Sequence, residues 1–111
     1  MKRTDGGSSP EPESLNQMFY CITRITFDPD STEAHDKRSL GHFARRVRER
    51  FGVAVAPMGG TSDDPVMGLA VAAVGEREDK LSSTMDAVVK FCEDDGFARI
   101  GSESSFIEPV E

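Results

Sequence analysis

VAVAPMGGTSDDPVMGLAVAAV, residues 53–74, lies between two helical patterns and reads as strand, loop and strand. VAVAPM (53–58) and MGLAVAAV (67–74) are short apolar runs of strand length. Between them, GGTSDDPV (59–66) is too long for a two-residue turn and contains Gly59, Gly60 and Pro65. The small residues of the second run would let a helix approach closely.

Upstream stands KRSLGHFARRVRERFG (37–52). At 100° per residue, Leu40, Phe43, Ala44, Val47 and Phe51 fall within an arc of about 100°, which predicts an amphipathic helix. Gly52 supplies its stop. Lys37, Arg48 and Arg50 flank the arc and can lay their methylene stems along apolar neighbours. Arg38, His42, Arg45, Arg46 and Glu49 lie opposite and face solvent or a partner. Gly41 costs about 1 kcal/mol relative to Ala inside a helix, so it marks close packing or a tolerated defect. Downstream, Leu81, Met85, Val88 and Cys92, widened by Val89 and Phe91, form the stripe of a second helix over about 79–94. Asp79 is its expected N-cap and Gly96 its C-terminal glycine.

Two further strands complete the order. MFYCITRITF (18–27) is β-branched and aromatic and ends at the turn signal Asp28-Pro29-Asp30. Phe19, Cys21, Thr23, Ile25 and Phe27 share one face of it; Met18, Tyr20, Ile22, Arg24 and Thr26 share the other. Both faces are fairly apolar, which predicts a central strand whose second face is partly covered. FARIGSESSFIEPV supplies a last strand around 97–107, broken at Gly101. The order β-α-β-β-α-β predicts an α+β, ferredoxin-like domain: a four-stranded antiparallel sheet with two helices on one face. That domain spans 17–111. Residues 1–16, rich in Gly, Ser, Pro and charge, cannot bury enough to offset ordering and are expected to form a disordered tail.

Charge is distributed unevenly. The 111-residue chain carries 13 Lys and Arg against 20 Asp and Glu, a net −7. Residues 35–52 hold six basic side chains against Asp36 and Glu49, or +4; the remainder, with seven against eighteen, is −11. Overall acidity argues against whole-surface attraction to nucleic acid or anionic lipid, and no DNA or membrane partner is expected. No apolar run approaches the ~18 residues of a membrane span and no secretory signal is visible, so the expected location is cytoplasmic.

Catalytic and cofactor signatures are missing. Cys21 and Cys92 sit in apolar segments without CxxC spacing and read as small buried hydrophobes. His35 and His42 stand two helical turns apart, about 10 Å of axial rise, and read as an exposed, non-ligating pair. Asp63 and Asp64 read as an acidic loop tip rather than a cation site. The Gly-Gly of the same loop lacks the Lys-Ser/Thr of a phosphate loop. An acylphosphatase-type loop would need an Asn after the first strand, yet Asn16 is the chain's only one. An RNA-recognition sheet needs aromatics on both central strands, and only Tyr20 is available. Ser82, Ser83 and Thr84 have no base nearby in sequence. The expectation is a non-enzyme without cofactor or metal.

Asp36-Lys37-Arg38, the ending Arg50-Phe51-Gly52, VAVA, MGLAV and the helical DAVVKF resemble the small bacterial YlxP-like family, a domain-of-unknown-function group with a ferredoxin-like fold. The resemblance covers about residues 18–95. It implies, through the family's frequent encoding beside translation-initiation and ribosome-maturation factors, a role around ribosome assembly. Family members carry a His-Gln-Asp and a Trp in the loop between the second and third strands, where this chain has GGTSDDP.

Two functional expectations follow. Lys37, Arg38, Arg45, Arg46 and Arg48 would contact ribosomal RNA or a ribosome-assembly partner, since Arg suits bidentate phosphate contact. Alternatively, Met18, Tyr20 and Ile22 would form a homodimer through the open sheet face, as a structural or regulatory module or a small-molecule sensor.

Overall fold

The computed structural model describes residues 17–110. The expected tail, 1–16, lies outside them. Strand β1 (Met18–Phe27) leads through a 3-10 turn (Pro29–Thr32) to helix α1 (Lys37–Phe51). Strands β2 (Ala54–Met58) and β3 (Gly68–Gly75), helix α2 (Glu78–Asp95) and strand β4 (Ile100–Val110) follow. The sheet runs β2-β3-β1-β4 with every neighbouring pair antiparallel. This is the α+β, ferredoxin-like arrangement, with β1 central as its two apolar faces require.

The core lies between sheet and helices. Cys21, Thr23, Ile25 and Phe27 of β1 and Leu69 and Val71 of β3 are buried against Leu40, Phe43, Ala44 and Val47 of α1 and Leu81, Met85, Val88 and Cys92 of α2. The buried Thr23 hydroxyl shares a hydrogen bond of 2.6 Å with that of Ser105 on β4, which removes the cost of an unpaired buried polar group. An aromatic column runs through the same layer. Phe43 stacks on Phe97 at 4.5 Å and lies parallel to Phe91 at 6.1 Å, and Phe27 tilts against Phe97 at 5.5 Å. Helix α1 lies over β2, and α2 spans β1, β3 and β4.

Local chemistry sets the helix ends. Asp36 caps α1: its Oδ1 accepts from the Ser39 amide at 2.9 Å while the Ser39 hydroxyl accepts from the Asp36 amide at 3.0 Å. This reciprocal box, absent from the sequence reading, satisfies two end groups and holds the Asp36 carboxyl below its usual range, chiefly through the Ser39 amide. Gly52, in the left-handed region at φ 65°, stops the helix as expected.

Several expectations change. The N-cap of α2 is Arg77, which offers no side-chain cap, and Asp79 instead pairs with the Arg77 guanidinium at 2.8 Å. The last strand begins at Ile100, because Phe97 is drawn into the aromatic column. Gly101 does not break that strand: the register steps from Thr26–Ser102 to Phe27–Ile100, leaving Gly101 as a bulge. Of the small residues on β3, Ala73 faces the helices and packs against the core as expected, but Ala70 and Ala72 do not. They pair with Arg24 and Ile22 on the open face, while Leu69 and Val71 face the helices. Among the described residues, no second layer covers that open face. Gly41 is a tolerated vacancy, since a Cβ there would meet nothing within 4 Å.

Candidate functional site

The basic face of α1 divides once its neighbours are in place. Arg46 turns toward α2 and makes a bidentate pair with Asp95, at 2.7 and 3.1 Å. Its guanidinium also lies 5.1 Å from the centre of the Phe43 ring. The pair raises the Arg46 pKa and holds the Asp95 carboxyl below its usual range. Arg50, on the same side, sits over Phe51 and Phe91 at 5.7 and 5.1 Å. The sequence placed Arg46 outward; the structure makes it a bridge between helices. Helical angle alone could not reveal that, because Asp95 lies forty-nine positions away.

On the flank away from α2, Lys37, Arg38, Arg45 and Arg48 are exposed. With Gly41 they occupy an arc of about 100° over roughly 16 Å of helix. Arg45 also reaches Glu49 at 3.1 Å, an exposed i,i+4 pair of small energetic weight. Gly41 sits in the middle of the stripe, so the helix backbone there is bare between the cations. The stripe borders the 59–67 loop, where a Cβ on Gly60 would stand 3.5 Å from the Lys37 Cα. That loop doubles back tightly. Gly59, at φ 76°, leaves no room for a side chain, since a Cβ would lie 1.7 Å from the Val66 carbonyl oxygen. Asp63 and Asp64 are exposed beside it.

His35 and the two cysteines are committed to structure, while His42 stays exposed as expected. His35 is half-buried rather than exposed: its ring stacks on Phe97 at 3.9 Å, Nε2 donates to the Phe97 carbonyl at 2.7 Å, and Nδ1 lies 3.2 Å from the Ser39 hydroxyl. It therefore ties the start of α1 to the segment before β4. A cavity of about 320 Å³ beside it, lined by Thr32, Glu33, His35, Gly60, Val66 and Met67, has no uncommitted imidazole nitrogen to offer. Both cysteines are buried and unpaired with each other. Burial pushes the Cys92 thiol up to about 12 and the Cys21 thiol upward as well, so neither supplies a thiolate at neutral pH. Among the described residues, no three His, Cys, Asp or Glu side chains gather as a metal site, and no helix is long and apolar enough to cross a membrane.

The opposite sheet face carries Met18, Tyr20 and Ile22 as expected, and adds a residue that the sequence reading passed over. Phe106, paired with Ile22 across β1 and β4, packs edge-on against Tyr20 at 6.0 Å between centroids. Its signal was its even spacing from Ser102, Ser104 and Glu108 along the last strand.

No curated protein matches the chain in sequence. A phage SAM lyase solved in complex with S-methyl-5'-thioadenosine is similar over 97% of this chain and 95% of its own, at 10% identity and a TM-score of 0.45. That likeness is too loose to carry an argument about activity. The family described as protein of unknown function (DUF503) has a model that matches residues 22–104, and the chain belongs to that family.

Proposed function

We propose that this is a non-enzymatic accessory protein that contacts the phosphate backbone of ribosomal RNA through the outer flank of α1. The observation that carries the proposal is the placement of Lys37, Arg38, Arg45 and Arg48 on one exposed arc around the bare backbone of Gly41. Guanidinium groups suit phosphate through paired N–H donors, and an absent Cβ lets a backbone strand approach the helix closely. The resemblance to the YlxP-like family supports ribosomal RNA as the partner. The buried thiols and committed imidazole of His35 support a non-catalytic role.

Binding would be electrostatic. Four phosphate contacts correspond to a salt slope of about −2.8 to −3.6, or about a 50- to 150-fold loss of affinity between 50 and 200 mM salt. The test is fluorescence anisotropy with a structured fragment of ribosomal RNA at those two salt concentrations. Arg38→Glu/Arg45→Glu is expected to weaken binding at least about tenfold. Arg46→Ala, which alters a bridge rather than the stripe, is expected to leave affinity within about twofold. Equal affinity of the wild type and the double reversal would sink the proposal.

A further inference from the structure

Alternation along the strands assigns seventeen paired residues to the open face. They are Met18 to Thr26 in steps of two on β1, the corresponding Ser102 to Val110 on β4, and Gly68 to Val74 and Ala54 to Met58 on β3 and β2. Their sizes and charges are not spread evenly. One end is large and apolar: Met18, Tyr20, Val74 and Val110, with Val74 64% exposed, while Phe106, 47% exposed, lies midway, level with Ile22. The other end is smaller, with Ala56, Gly68, Ala70, Thr26, Ser102 and Ser104, and Met58 only at its β2 corner. Arg24 and Glu108 are the only charged residues among the seventeen. Arg24 stands in register with Ser104 and Ala70, and Glu108 with Tyr20.

Ile22 lies midway between those two positions. From it, Arg24 is two residues toward the small end and Glu108 is level with Tyr20, two residues toward the large end. We infer that this face is an interface between two copies of the chain. The copies are related by a two-fold axis that lies in the interface, crosses β1 at right angles and passes over Ile22. This operation turns one sheet end for end over the other. It sets Met18, Val74 and Val110 of each copy over the partner's Thr26, Ala70 and Ser102, the alternation that fills an interlayer space, while Phe106, at the axis, faces the partner's Phe106. It also brings each Arg24 over the partner's Tyr20 and beside the partner's Glu108.

The packing is self-complementary in shape and charge, as a two-fold interface requires. Facing sheets stand about 10 Å apart, a gap that an Arg and a Glu side chain reach across together. The dimer would cover Phe106, Val74 and Val110 without touching α1. The surface is thus separate from the RNA-contacting flank, and the two readings stand or fall independently.

Sedimentation equilibrium on the full chain, from low to high micromolar concentration, tests the inference. The wild type is expected to dimerise. Arg24→Glu and Glu108→Arg, each placing like charges together, are expected to weaken the dimer about tenfold or more. Arg24→Glu/Glu108→Arg restores the pair with its sign reversed and is expected to return near wild-type affinity. Both positions are exposed, and thermal melts of each variant confirm folding. A wild type that stays monomeric at high micromolar concentration overturns the inference. So does a dimer insensitive to both single reversals, or a double reversal no better than the singles.

Discussion

Helices α1 and α2 lie side by side on one face of one sheet and carry opposite charge. α1 holds six basic residues and Glu49, a net +5; α2 holds Lys80 and Lys90 against six acidic residues, a net −4. Their ends differ too. α1 opens on a reciprocal cap and closes with Arg48 and Arg50 near its negative dipole end, whereas α2 opens without a side-chain cap and closes on Glu93, Asp94 and Asp95. Acidic groups at a helix C-terminus oppose the dipole. Asp95 is relieved of that conflict by Arg46. The contrast teaches that neighbourhood, and not count, decides which cations are available. Along the inner edge α1's charge is absorbed by α2; along the outer edge it is left to solvent or a partner.

The hardest way to break the pairing of helices is through the residue they share. Phe43 is buried on α1 and stacks against Phe97 and Phe91. Phe43→Ala is expected to cost about 3–5 kcal/mol in urea denaturation, from lost burial and the cavity left behind. A loss under about 1 kcal/mol would mean that the aromatic column is not what joins the helices.

Gly41 sharpens the comparison from the opposite direction. Nothing in the fold occupies the space of its missing Cβ, so Gly41→Ala should stabilise the protein by about 1 kcal/mol. That corresponds to a melting temperature about 4–8 °C higher. If the same variant also weakens RNA binding, the glycine is retained for contact at a cost in stability.

Smallest is the bridge itself. Asp95→Asn is expected to cost about 0.5 kcal/mol at neutral pH, because the lost Arg46 pair is partly offset by removing a charge that opposes the dipole. The pH dependence has a definite sign. Arg46 depresses the Asp95 pKa in the folded state, so the bridge contributes fully above the ordinary carboxylate value of about 3.9. The contribution fades as pH falls through the lowered folded value. Melting curves of wild type and Asp95→Asn should therefore converge as pH drops below about 4. A gap that persists or widens in acid would assign the effect to something other than this pair.

Much of the fold was legible because each element repeats a local period. The apolar residues of α1 recur at helical spacing and those of β1 at strand spacing, and all four deepest positions of α1 are buried. The misreadings share a cause. Asp79, His35, Arg46 and Phe97 each obey a contact that periodicity cannot see. The first pairs with its neighbour Arg77, and the others reach partners far along the chain. The candidate basic surface was legible as a cluster of residues but not as a shape. Of its five candidate contact residues, Arg46 is engaged by Asp95 of α2.

Residue type and spacing alone settle the order of elements, which face of each is apolar, and that positive charge gathers on the first helix. These depend on residue type and spacing within a few turns of chain. It took the tertiary structure to bring Arg46 to Asp95, Phe106 to Tyr20, and Arg24 and Glu108 together as the two charges of one open face. Those facts arise where distant segments meet at a few ångströms, and no local period encodes the meeting.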